Sequence, residues 1–118
     1  MRYFAFPIVL VLTLISLAHA HAVIVRSSLD THPPEPDQAA KVSLIFNSHI
    51  ETRLSQVLLV TQGDRKRPLP FQAGKERGEV VVDLPPLPPG EYALQLKVFA
   101  ADGHLTEEVR KFFIRGEK

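Results

Sequence analysis

Hydrophobic positions fall into two unlike regimes along this chain. Residues 4–17 form a near-continuous apolar run, whereas from Val23 onward apolar residues recur in short extended segments broken by proline and glycine. No stretch sustains apolar spacing at i, i+3, i+4 and i+7, so helix is expected to be a minor component. Val42, Leu44 and Phe46 alternate with Ser43, Ile45 and Asn47, which predicts a strand with one face buried. Gln56, Leu58 and Val60 continue the alternation up to a turn at Gly63-Asp64. Val80 to Val82 predict another strand, stopped by the proline run Leu84-Pro85-Pro86-Leu87-Pro88-Pro89-Gly90. Tyr92, Leu94, Leu96 and Val98 then alternate with Ala93, Gln95, Lys97 and Phe99. The chain turns at Asp102-Gly103 and returns through Val109 to Ile114, with Phe112 and Ile114 on one face, so the last two strands can form a hairpin.

Between these segments, residues 64–78 mix charges with Pro68, Pro70, Gly74 and Gly78, and predict an exposed connection around one short strand from Leu69 to Phe71. The stretch from Asp30 to Ala40 is expected to be an ordered loop. Phe46, Phe71, Tyr92, Phe99, Phe112 and Phe113 fall mostly at strand period and are expected in the core. About seven strands at this spacing predict an all-β fold, a Greek-key β-sandwich or barrel of immunoglobulin-like type.

The leading apolar run changes the reading of where the protein works. Arg2 precedes it and Ala18-His19-Ala20 follows it in the small-x-small form of a signal-peptidase site. The run is shorter than the roughly 20 residues that span a bilayer. Residues 1–20 are therefore expected to be a secretory signal, and 21–118 a single exported, periplasmic domain beginning at His21. Only Arg2 of the 14 Lys and Arg lies in the leader, so 13 basic and 13 acidic residues remain and the domain is formally neutral. That balance favours neither nucleic acid nor an anionic membrane, and a monomer is expected. The chain has no cysteine and one methionine, Met1, so any metal held by the mature domain must be bound through nitrogen and oxygen.

Cleavage after Ala20 would put a free α-amine and an imidazole on His21, two nitrogens that can chelate one ion in a six-membered ring. Asp102 and His104 are two apart, a spacing that in extended backbone points both side chains to one side, with Gly103 leaving room to turn. If the first strand starts where the last hairpin turns, His21, Asp102 and His104 converge as three nitrogens and one carboxylate oxygen. This donor set suits Cu(II) in tetragonal geometry; zinc, with two imidazoles and a carboxylate, is the alternative. Either half of the motif alone has a plain explanation, since Asp-Gly is a common turn and a histidine after it can be a surface residue. His32, before Pro33, and His49, at a strand end, are expected to be solvated rather than metal ligands.

Taken in order, His21-Ala22-Val23-Ile24-Val25-Arg26-Ser27-Ser28, Val42-Ser43-Leu44-Ile45-Phe46-Asn47-Ser48, Leu87-Pro88-Pro89-Gly90-Glu91-Tyr92, and Ala101-Asp102-Gly103-His104 followed by Phe112-Phe113-Ile114 resemble the CopC-type copper-binding proteins. The resemblance covers the whole of 21–118. It implies a seven-stranded Greek-key domain, one Cu(II) ion held by the amine and imidazole of His21, the Asp102 carboxylate and the His104 imidazole, and a CopD-type inner-membrane partner. Some members of the family also hold Cu(I) in a methionine-rich loop; the corresponding region here, 62–79, has neither methionine nor histidine, which implies a Cu(II)-only member. The chain departs from the family pattern at Leu96, where many relatives have tryptophan, at Glu107-Glu108, near a common glycine, and at Asn47-Ser48, where some have a glutamate.

The function expected is carriage or sequestration of copper, without catalysis. Two rivals belong to other classes. An N-terminal histidine chelating copper is also the arrangement of lytic polysaccharide monooxygenases, but 98 residues leave little flat surface for a polymer, and a carboxylate would fill a copper position. A metal-free immunoglobulin-like interaction module would make the histidines incidental.

Overall fold

The computed structural model describes residues 22–116, so the apolar leader, its cleavage motif and His21 lie outside the described residues. Eight strands, all paired antiparallel, make two four-stranded sheets. In chain order they are β1 (Ile24–Ser27), β2 (Ala40–Phe46), β3 (Gln56–Thr61), β4 (Arg65–Pro68), β5 (Phe71–Ala73), β6 (Glu79–Leu84), β7 (Gly90–Phe99) and β8 (Leu105–Ile114). A short helix, α1 (Ser28–Thr31), follows β1, and a 3-10 turn at Thr52–Leu54 precedes β3. One sheet runs β1-β2-β6-β5 and the other β4-β3-β7-β8.

Alternation decides what each strand buries. Val42, Leu44 and Phe46 of β2, Val80, Val82 and Leu84 of β6, and Tyr92, Leu94, Leu96 and Val98 of β7 all face the space between the sheets and are buried. Phe112 and Ile114 of β8 join them, and the Tyr92 and Phe112 rings stack with centroids 5.6 Å apart. The Tyr92 hydroxyl donates to the Pro88 carbonyl at 2.6 Å, which ties the proline run to β7. Gly78 is required by close approach: its φ is +80°, and a Cβ there would fall 2.4 Å from the Phe46 carbonyl oxygen, beside the 2.8 Å hydrogen bond from Phe46 N to Gly78 O.

Three expectations are corrected. In β3 the buried residues are Val57 and Leu59, while Gln56 is exposed and Leu58 and Val60 are only half-buried. The segment Ser48–Ser55 turns through an isolated bridge and a 3-10 turn, so the phase of β2 does not carry over into β3. Where one short strand was expected at Leu69–Phe71 there are two, β4 and β5, in different sheets. Leu69 N donates to Val57 O and Asp83 N donates to Pro70 O, both at 2.9 Å, so the chain changes sheet between Leu69 and Pro70. That division makes the count eight rather than seven. Phe113, expected in the core, is 55% exposed because Phe112 and Ile114 take the inward phase of β8.

Candidate metal centre

The β7–β8 hairpin pairs in register from Gly90↔Ile114 to Phe99↔Leu105 and closes through Ala100–His104. Within that closure Ala100 N donates to His104 O at 3.0 Å and Gly103 N to Ala100 O at 2.9 Å. Gly103 sits at φ +89° with open space around its α-carbon, a backbone state that favours glycine. The Asp102 carboxylate is locked by both of its oxygens. Oδ1 accepts the His104 backbone N–H at 3.0 Å, and Oδ2 lies 3.1 Å from His104 Nδ1. The two side chains therefore meet because an Asx turn folds them together, not because extended backbone points them the same way, as the spacing alone suggested.

This geometry sets the charge. The backbone N–H of His104 holds the Asp102 carboxyl below its ordinary value, the His104 ring adding to the effect and partial desolvation opposing it. Both groups stand open to solvent, with side-chain exposures of 47% for Asp102 and 64% for His104. Two donor atoms 3.1 Å apart also fit one ion: bonds of about 2.0–2.1 Å at a right angle separate neighbouring ligand atoms by about 2.8–3.0 Å. Asp102 and His104 can thus occupy adjacent positions of a tetragonal or tetrahedral site with small adjustment. Among the described residues they gain no third acidic or imidazole ligand.

The start of the described chain is brought to the same end of the sandwich. Ala22 N donates to Thr106 Oγ1 at 3.3 Å, two residues beyond His104. Asn47 clamps the next residue from both sides, its Oδ1 accepting Val23 N at 3.0 Å and its own N donating to Val23 O at 2.9 Å. Arg110 Nη2 reaches Ile24 O at 3.4 Å. Thr106 and Arg110 were not singled out in the sequence, because contacts across 84 and 86 residues leave no local pattern. Asn47 stands where some relatives have a carboxylate, and its amide side chain and backbone instead anchor the start of β1.

Neither of the other described histidines joins the pair. His32 is exposed, with Nδ1 3.0 Å from Thr31 Oγ1. His49 is exposed and faces Glu51 at 3.5 Å, although its carbonyl accepts Ala101 N at 3.0 Å.

Comparison with known proteins places the chain in a family. A family model described as the CopC domain matches residues 24–115, a span that contains Asp102 and His104. The chain belongs to the CopC domain family. Among solved structures it is similar to CopC from Methylosinus trichosporium OB3b, with a TM-score of 0.64 and 26% identity over 83% of this chain and 97% of that one. It is also similar to PcoC, a methionine-rich copper resistance protein from Escherichia coli, with a TM-score of 0.59 and 21% identity over 81% of this chain and all of that one. At that identity the likeness to PcoC concerns the fold. This CopC-family chain, with Met1 as its one methionine, differs from it in composition. No curated protein sequence matches the chain.

Proposed function

We propose that this CopC-family protein is exported, begins at His21 once its leader is removed, and holds one Cu(II) ion through the α-amine and imidazole of His21, the Asp102 carboxylate and the His104 imidazole. The observation that carries the reading is the convergence of two chain segments. Asp102 and His104 present donor atoms 3.1 Å apart, and the segment that follows His21 is anchored two residues beyond His104 by the Ala22–Thr106 contact. A peptide bond keeps consecutive α-carbons about 3.8 Å apart, and in the proposed site that short span from the anchored Ala22 brings the amine and ring of His21 to the same ion.

The donor set is three nitrogens and one hard oxygen, without sulfur, and this set favours Cu(II) over Cu(I). An exposed carboxylate and ring suit a site that must load and release its ion, and the proposed role is carriage or sequestration of copper outside the cytoplasm, with a CopD-type membrane protein as acceptor. Support for copper over zinc comes from membership of the CopC family together with the nitrogen-rich donor set.

The deciding experiment is electron paramagnetic resonance of the protein starting at His21 with one equivalent of Cu(II), beside the same protein carrying one extra residue before His21. A tetragonal, nitrogen-rich spectrum that the extension reshapes is the expected result. Identical spectra would remove the N-terminus from the site.

A further inference from the structure

Long free edges of sheets are rare because they pair with other chains. The four sheet edges of this protein are β1, β4, β5 and β8; the first three are 4, 4 and 3 residues long, and β8 is 10. Among the described residues the far side of β8 has no strand partner, since its one ladder is with β7. Its outward face reads Leu105, Glu107, Val109, Lys111, Phe113. Leu105, Val109 and Phe113 are 54%, 56% and 55% exposed, and they are half of the six large hydrophobic residues exposed on the described surface. Scattered exposed apolar residues need no explanation, but three in a row on the longest free edge do.

The order of these residues identifies what fits them. In an antiparallel pair of two β8 strands centred on Val109, Leu105 lies opposite Phe113 of the second copy, Glu107 opposite Lys111, and Val109 opposite Val109. On the inward face the same register sets Thr106 against Phe112 and Glu108 against Arg110. Every charged residue in the strand meets its opposite, and every outward apolar residue meets another. A shift of two residues to centre on Glu107 or Lys111 puts like charges face to face, so the pattern also fixes the register. Within one copy, Glu107 uses Oε2 for both Lys97 Nζ at 3.9 Å and Gln95 Nε2 at 3.2 Å, which leaves Oε1 for a further cation. Lys111 stands opposite Ala93 on β7 and has no carboxylate partner among the described residues.

We propose that β8 is a self-complementary interface through which two copies of this chain join edge to edge around a two-fold axis, making one eight-stranded sheet from the two β4-β3-β7-β8 sheets. The partner is a second copy, in place of the monomer expected from the sequence. The pairing is independent of copper.

The test is sedimentation velocity on the protein purified after expression of the full chain, across micromolar concentrations without metal. A dimer is expected for the wild type. Val109→Lys, which sets two lysines against each other at an exposed position, and Glu107→Lys, which does so twice by symmetry, should each weaken association at least about tenfold. Glu107→Lys combined with Lys111→Glu should restore it, because the swap rebuilds both pairs. Since the chain has no cysteine, Val109→Cys gives a second readout. Opposed residues lie about 4.5–5.5 Å apart at Cα, within disulfide range, so mild oxidation should trap a covalent dimer, whereas Val25→Cys on the other sheet should not. A monomeric wild type, a dimer indifferent to the charge variants, or assemblies larger than two would each overturn the proposal.

Discussion

Ala22 N lies 3.3 Å from Thr106 Oγ1, a single contact joining the first described residue to a position two beyond His104. It is the hinge of the proposed copper site, because it decides where the residue before Ala22 can reach. Thr106→Val keeps the shape and the β-branch while removing the acceptor. One hydrogen bond of this kind contributes about 1 kcal/mol, so Cu(II) affinity should fall about fivefold, with little change in the fold. Competition titration against a Cu(II) chelator measures the loss; unchanged affinity would mean that the N-terminal anchor does not shape the site.

Asp102 has two roles that one substitution can separate. Asp102→Asn retains a side-chain oxygen for the His104 N–H, and asparagine is equally suited to such turns, so the hairpin closure should survive with Tm almost unchanged. The charge that faces His104 Nδ1 is lost. Outer-shell substitutions at metal sites cost about 10–100-fold in affinity, and removal of a direct ligand should cost at least the upper end of that range. A variant that binds Cu(II) like the wild type would take Asp102 out of the site.

How much of this was legible in the sequence follows from the range of each interaction. The alternation of β2 and β7 is local, and it correctly identified Val42, Leu44, Phe46, Tyr92, Leu94, Leu96 and Val98 as inward-facing. The Asp102-Gly103-His104 closure is local as well, although its geometry is an Asx turn rather than extended backbone. Strand β3 was legible but its inward phase was not, because the 3-10 turn at Thr52–Leu54 resets the phase and both faces of Val57-Leu58-Leu59-Val60 are apolar. The switch of sheets at Leu69-Pro70 depends on hydrogen bonds to Val57 and Asp83, which no local pattern encodes. For the same reason Thr106 and Asn47, which hold the N-terminal segment, carry no signal of their own.

Copper binding should weaken with acid for a reason the geometry narrows. The Asp102 carboxyl is held below its ordinary value by the His104 N–H, so it remains ionised through mildly acidic pH. Every ligand must be free of its proton to coordinate, so metal binding releases protons and acid between pH 8 and pH 5 opposes it. Affinity measured by titration should therefore fall steadily across that window, and a flat profile would exclude this donor set.

Gly78 is the place where the fold tolerates least. Gly78→Ala would put a methyl 2.4 Å from the Phe46 carbonyl oxygen, in a segment whose φ of +80° already disfavours a side chain. The obstacle is backbone of the central β2 strand, which cannot swing aside as a flexible side chain would. Strain of this kind costs more than about 1 kcal/mol, a large part of the stability of a small domain without disulfides. Thermal unfolding should show a drop in Tm of at least about 4 °C, and a neutral result would mean that the β2–β6 junction can open without cost.

The acid limb of stability in the metal-free protein should trace in part to Glu79. Its carboxyl accepts the Ser43 hydroxyl at 2.7 Å and the Glu76 N–H at 3.1 Å, and these bonds, Ser43 first, hold it below the ordinary value of 4.5, with Lys75 N–H and the Arg26 charge adding and burial opposing. A carboxyl whose proton affinity is lowered by folding binds fewer protons in the folded state than in the unfolded one. Its stabilising contribution is therefore complete above its ordinary value and disappears as pH falls through the lowered one. Ser43 lies on β2 and Glu79 at the start of β6, so the bond that weakens ties two neighbouring strands of one sheet. Glu79→Gln can still accept the Ser43 hydroxyl but cannot titrate. Its Tm should lie slightly below the wild type at pH 7, and the gap should close as both proteins are taken below pH 4. Parallel Tm profiles from pH 7 to pH 3 would assign the acid limb to other carboxylates.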